Sequence, residues 1–325
     1  MNAPPSDALK DYSRAAIADG SKSFALASHF FDAPMRDDAQ MLYAWCRYCD
    51  DVIDGQTLGA DAPDAAMTPA ERARRLDGLK SMTRDALNGG PCTEPAFEAF
   101  RHVALKHRLP DSYPLDLLDG FAHDVTPRLY LSMDDLLTYC YGVAGVVGVM
   151  MAIVMGVDRD DVETLDRACD LGLAFQLTNI CRDIMDDAAA GRVYLPQDVL
   201  AEEGLSAEPS VLLSPENKDA VWRAAVRQLR VADAYYESAT EGVRRLPTRA
   251  AAAIAAARNI YRAIGARLRA GGPEAWRGRV YVAKRRKMML ALAGIATGAP
   301  ASIFLKNAPP SARAGLWMRP RRLAS

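Results

Sequence analysis

MLYAWCRYCDDVIDG, Met41 to Gly55, carries polar side chains at Tyr43, Arg47, Asp50 and Asp54. At 100° per residue those four positions fall in a stripe about 60° wide along three helical turns. Asp51 sits beside the stripe, and the remainder of the helix is largely apolar. A second segment, LGLAFQLTNICRDIMDDAAAGRVYLP (Leu171 to Pro196), repeats the geometry with Gln176, Asn179, Asp183 and Asp187 in a stripe about 80° wide. A solvated helix face is broad and mixed in sign, whereas a thin line of Asp, Asn and Gln on an apolar helix has to face a polar cavity. Carboxylates one turn apart stand about 5 to 6 Å apart at Cβ. Two such pairs facing each other repel unless cations lie between them. Hard divalent ions with oxygen ligands meet that need: Mg2+, with Mn2+ as the alternative, completes its shell with water and substrate phosphate. The lack of His and Cys in the stripes disfavours zinc.

Around these helices the pattern is helical almost throughout. Apolar residues recur at spacings of three and four, and no run of alternating β-branched residues bounded by turns stands out, so the expected class is all-α. Helices are expected at Pro69 to Leu87, Thr93 to His107, Met133 to Val157, Asp160 to Asp187, Asn217 to Arg245, Thr248 to Ala270 and Pro273 to Ala296. Gly and Pro clusters break the pattern at Gly55 to Pro69, Asn88 to Pro91, Leu109 to Pro114, Gly191 to Pro196, Gly204 to Pro215, Leu246-Pro247 and Gly271 to Pro273. None is long enough to link domains. One domain over residues 1–298 is expected, followed by a flexible basic tail at 299–325.

The 325 residues are 50% hydrophobic and 25% charged, enough for a large core and too apolar for disorder. A formal net charge of -1 argues against nucleic-acid binding. The six cysteines are scattered, and the N-terminus lacks a basic stretch leading into an apolar one, as fits a reduced, cytoplasmic protein. Cys46 and Cys49 form a CxxC inside a helical pattern with no second pair, which reads as small core thiols.

Two uncharged stretches are long enough to raise a membrane span. Leu136 to Val157 carries Gly142, Gly145 and Gly148, which suits a buried helix with close neighbours, or one whose bare face meets a ligand. Met288 to Leu305 follows Lys284-Arg-Arg-Lys287 and precedes an Arg-containing tail. Basic plus apolar suits peripheral contact with an anionic membrane face, and equally a last core helix.

The acidic stripes need an anionic partner for their metals. Ser21-Lys22-Ser23, Arg47, Arg182, Arg279 and Lys284 to Lys287 could grip phosphate oxygens, although each alone also reads as a surface charge. GxGxxG and GxxxxGK[ST] are absent.

At these residues the chain resembles the squalene/phytoene synthase family of head-to-head prenyltransferases. YAWCRYCDDVIDG resembles its first Asp-rich signature, YCYGVAGVVG its glycine-rich helix and LGLAFQLTNICRDIMDDAAAGRVYLPQD its second. The likeness runs from GSKSFALAS at Gly20 to RVYVAKRRK and leans toward the bacterial phytoene-forming branch. The resemblance implies a single-domain helical bundle of the isoprenoid synthase type around a central cavity. It implies two molecules of geranylgeranyl diphosphate as substrates, Mg2+ as cofactor, no NADPH, and association with a membrane face and with other carotenoid enzymes. Asp50, Asp54, Asn179, Asp183 and Asp187 would hold the metal, and Asp51, Tyr43 and Arg47 would belong to the catalytic group. Ser21, Lys22, Ser23, Tyr139, Gln176, Arg182, Tyr194, Tyr261, Arg279 and Lys287 would bind substrate. Farnesyl diphosphate condensation, to presqualene diphosphate, squalene or dehydrosqualene, is the alternative within the family. A non-catalytic helical membrane or assembly protein is the alternative outside it.

Overall fold

The computed structural model describes residues 4–20, 22–55, 67–125, 128–278 and 280–321. Those residues form helices and loops, without a strand. The N-terminal part comprises α1 (Asp7–Gly20), α2 (Lys22–Ser28), α3 (Ala33–Asp54), α4 (Pro69–Leu87), α5 (Pro95–His107) and α6 (Ser112–Val125). The middle comprises α7 (Met133–Cys140), a π turn at Tyr141–Gly145, α8 (Val146–Val154) and α9 (Val162–Ala189). Short helices α10 (Gln197–Ala201) and α11 (Pro209–Leu213) lead to α12 (Lys218–Val243), α13 (Thr248–Gly271) and α14 (Lys284–Phe304).

Local chemistry sets the ends of the key helices. Asp32 caps α3 by accepting from the Met35 amide at 3.0 Å, Pro34 occupies its first turn, and Gly55 closes it at φ 69°. Asp161 caps α9 through the Thr164 amide at 3.1 Å. α9 runs through the centre of the bundle, against α8, α12 and α13. Its neighbours come close because glycines leave room: a Cβ at Gly142 would stand 2.6 Å from the Gly120 Cα, and one at Gly172 would strike the Ala144 carbonyl. Gly142 and Gly145 therefore serve helix packing, and Gly148, which approaches the Ala168 carbonyl, also borders a cavity. Trp45 stacks on Phe100, ring centroids 4.1 Å apart, and fixes α3 against α5.

Three expectations change. Met133 to Val157 is not one uniform helix, since the π turn interrupts it. Pro273 to Ala296 divides into a 3₁₀ turn at Gly272–Arg277 and α14, because Gly278 is extended. α14 itself continues past Ala296 through Pro300 to Phe304, packed on α13 where Gly298 lets it approach Ala251 and Ala255. Nor is the segment after it loose. Arg319 is buried, with its Nε 2.6 Å from Asp166 of α9, and Trp317 packs on Tyr141.

Two helical stretches have the length and hydropathy of a membrane span. Met133–Val154 is mostly buried in the bundle, as a core helix is. Lys284–Phe304 is mostly exposed and presents Met288, Met289, Leu292, Ile303 and Phe304 outward.

Candidate active site

The two polar stripes face each other. Asp50 and Asp54 of α3 and Asn179, Asp183 and Asp187 of α9 line one polar pocket of about 280 Å³, together with Gln176, Arg182, Arg192, Tyr139 and Tyr194. This pocket opens beside a second, larger and mainly apolar cavity of about 450 Å³, within the usual size range of small-molecule sites. Asp50, Phe121, Tyr139, Gln176 and Asn179 border both. Tyr43, Arg47 and Tyr261 line the apolar cavity beside them.

Arginines neutralise the acids. Arg47 reaches Asp50 at 3.0 Å and Asp51 at 2.6 Å. Arg182 Nε donates to Asp183 at 2.7 Å, and Arg192 stands between Asp54 at 3.8 Å and Asp187 at 3.7 Å. Burial opposes the charge on Arg47 and Arg182, but the adjacent carboxylates outweigh it and keep both guanidinium groups firmly protonated. Burial raises the Tyr43 phenol well above its ordinary value, so it stays a neutral hydroxyl. Gly20 makes room for that hydroxyl, since a Cβ there would collide with it.

Aromatic rings form the walls. Tyr139 and Tyr194 line the acidic pocket, and Tyr130 packs on both, the three centroids 5.3 to 5.9 Å apart. Phe175 stacks on Tyr261 at 4.1 Å in the apolar cavity.

The donor set suits a hard cation. Four carboxylates and the Asn179 amide surround the pocket, and Asn179 Oδ1 is buried without a hydrogen-bond partner among the described residues. An orphaned buried acceptor costs about 1 to 3 kcal/mol unless something fills it. Among the described residues, no three acid, His or Cys side chains stand close enough to chelate an ion unaided.

Several expected site residues lie elsewhere. Asp51 lines neither cavity; it is buried beneath the stripe and anchors Arg47. Lys287, in the first turn of α14, also lines neither. Ser21, Arg279 and the side chains of Lys22 and Ser23 lie outside the described residues. Arg192, Phe121, Phe175 and Tyr130 were not singled out from sequence. Arg192 is the Arg of the GR pair after the second stripe, and Phe175 precedes Gln176, so both had a signal; Tyr130 had none. Cys49 is a buried thiol and Cys46 a half-buried one that borders the apolar cavity, and burial raises both.

The squalene/phytoene synthase family model matches residues 17–286, and the chain belongs to that family. It is 50% identical over 320 residues to the 15-cis-phytoene synthase of Pantoea ananas, covering 98% of this chain and 100% of that protein. It is 52% identical over 306 residues to the 15-cis-phytoene synthase of Paracoccus sp., covering 94% and 96%. Its fold matches a crystal structure of a dehydrosqualene synthase in complex with ligand, with TM-score 0.74 and 25% identity over 89% of this chain and 96% of that one. The squalene synthase HpnC from Alicyclobacillus acidocaldarius matches at TM-score 0.70 and 26% identity, over 82% and 94%.

Proposed function

We propose that this chain is a phytoene synthase, joining two molecules of geranylgeranyl diphosphate head to head through prephytoene diphosphate, in carotenoid biosynthesis. The observation that carries the reading is the shared wall of Asp50, Tyr139, Gln176 and Asn179 between an acidic pocket and an apolar cavity. An amphiphile with a highly charged head and a hydrocarbon tail fits across that wall. The relatives at about half identity over nearly the whole chain support the same reaction.

Mg2+ held by Asp50, Asp54, Asn179, Asp183 and Asp187 would supply Lewis-acid stabilisation of the departing diphosphate. Arg47, Arg182 and Arg192 lie where they can exchange carboxylate partners for phosphate oxygens as the carbon–oxygen bond breaks. The allylic cation adds to the C2–C3 double bond of the second substrate, and loss of a proton closes the cyclopropane. A second ionisation and rearrangement form the 1-1′ linkage, and loss of a further proton leaves the central double bond. No hydride is consumed, so NADPH is not required. The neutral Tyr43 and the rings of Phe121, Tyr139, Phe175 and Tyr261 stabilise the cations and shield them from water.

Purified protein incubated with geranylgeranyl or farnesyl diphosphate, with and without Mg2+ and NADPH, tests this by mass analysis of the hydrocarbons. Forty-carbon phytoene that needs Mg2+ but not NADPH, and disappears in Asp50→Ala, is expected. A thirty-carbon product alone, or none, overturns the reading.

The exposed apolar side of α14 next to Lys284 to Lys287 supports peripheral attachment to an anionic, cytoplasmic membrane face. Flotation with anionic vesicles should weaken several-fold in a Met289→Glu, Leu292→Glu variant; equal flotation would refute this.

A further inference from the structure

The apolar cavity follows one face of α9 from Asn179 to Thr164, fifteen residues or about 22 Å of helix. Its acidic end meets the diphosphate pocket. Near its far end, one turn before Thr164, an arginine enters the lining, an unexpected group in a hydrocarbon-lined space. Arg167 lines the cavity and is 3% exposed. Its carbon stem packs on Gly242, where a Cβ would stand 2.5 Å from the Arg167 Cβ. Its Nε is buried without a hydrogen-bond partner. Glu163 is 3.8 Å away, and the guanidinium relies on two closer neighbours: Ser238 Oγ at 2.9 Å and the backbone carbonyl of Ser311.

Ser311 belongs to the segment after α14, which runs back across the N-terminal half of α9 as a strap. Arg244 of the bundle donates to the strap carbonyls of Ala308 and Pro309 at 3.1 and 3.0 Å. Arg313 of the strap grips Asp170 with two hydrogen bonds of 2.6 and 2.9 Å. Asp170 in turn accepts from the Ser238 hydroxyl, the same oxygen that receives Arg167. The strap thus fixes Arg167 twice, directly through its own carbonyl and indirectly through Arg313, Asp170 and Ser238.

We infer that the C-terminal strap, acting through Arg167, builds the floor of the cavity and sets the length of prenyl chain that the site accepts. An extended geranylgeranyl chain measures about 20 Å, close to the roughly 18 Å of α9 between Asn179 and Arg167, and one isoprene unit spans nearly one helical turn of about 5.4 Å. A chain one isoprene longer reaches Arg167 and has to displace it from Ser238 and Ser311, stranding a buried charge. A chain one isoprene shorter leaves the last turn of the cavity unfilled. Arg167 touches only the distal end of the chain, so it is a specificity residue, and Arg313 is a positioning residue behind it. The substrate class rests on the proposed function; the length limit is the new statement.

The test measures binding of inert prenyl S-thiolodiphosphates with fifteen, twenty and twenty-five carbons to the full chain, beside the hydrocarbons formed from the matching diphosphates. Wild-type protein should prefer twenty carbons over twenty-five by tenfold or more. Arg167→Ala should abolish that preference, Arg313→Ala should reduce it about threefold, and Arg167→Lys should restore it. A preference unchanged in Arg167→Ala overturns the inference. Should Arg167→Ala not fold, an unchanged preference in Arg313→Ala overturns it equally. Wild-type protein that binds no prenyl analogue overturns the proposed function instead, and is recognised because no length series can then be measured.

Discussion

α9 carries two acid pairs with the same spacing, Asp166 with Asp170 near its beginning and Asp183 with Asp187 near its end. Both pairs meet arginines, yet they do different work. The first pair is sealed: its side chains are 6% and 0% exposed, and Arg313 and Arg319 close on them from 143 and 153 residues further along the chain. The second pair is open, 28% and 18% exposed, facing the polar pocket, with Arg182 adjacent in sequence and Arg192 at 3.7 Å. Buried carboxylates with tight partners hold elements together; carboxylates bordering a cavity, with partners that can leave, are available to a ligand. Spacing does not separate the two cases. What separates them is whether the partner's reach ends in packing or in space.

The sharpest way to break this comparison is to remove one charge from each pair. Asp183→Asn should lower kcat about a thousandfold, equivalent to about 4 kcal/mol in the barrier, with little change in melting temperature. Asp166→Asn should do the reverse. Leaving Arg319 buried without its carboxylate should cost about 3 kcal/mol of stability in urea unfolding, with kcat of the folded fraction within a few fold of wild type. If both variants lose stability and activity together, the two ends of α9 are not separate in function.

Asp38 offers a smaller test of the sealed kind. It is buried in α3 and accepts from Lys106 at 2.6 Å and His107 at 2.9 Å. Burial alone would raise its carboxyl, but the hydrogen bonds from His107 and Lys106 outweigh it and hold the group below its ordinary value of 3.8. A lowered folded value means stabilisation that is present above about pH 4 and is lost as the pH falls through the depressed value. Wild type should exceed Asp38→Asn by about 1.5 kcal/mol near pH 6, and the gap should shrink steadily in acid. A gap that does not change with pH would assign the effect to packing instead.

The all-α class and the open pair were legible because each leaves a periodic signature: apolar residues every three or four positions, and a thin polar line on otherwise apolar α3 and α9. Asp51 adjoins the stripe without belonging to it, and the resemblance alone placed it among the catalytic residues; one residue is a 100° turn, enough to bury it under Arg47. The sealed pair and the strap left no such trace. Residues 305 to 321 contain Pro, Gly and Arg without periodicity, and nothing local tells Arg313 and Arg319 that their partners lie half a chain away. A basic stretch broken by Pro and Gly reads as solvent-loving until the acids it neutralises are seen in three dimensions. Arg192 lay in a quoted motif and still went unassigned, since its value comes from bridging α3 and α9, which sequence does not juxtapose.

The strap also fixes an order of events. The residues that line the cavity belong to segments up to Tyr261, whereas Ser311, Arg313 and Arg319 come after them in the chain. Contacts between distant parts of a chain form slowly. Until the strap docks, Asp166 and Asp170 lack Arg319 and Arg313, and Arg167 lacks the Ser311 carbonyl. Docking of the strap supplies those partners together, so a bulky fusion placed just after Arg321 would burden the latch rather than the acidic mouth.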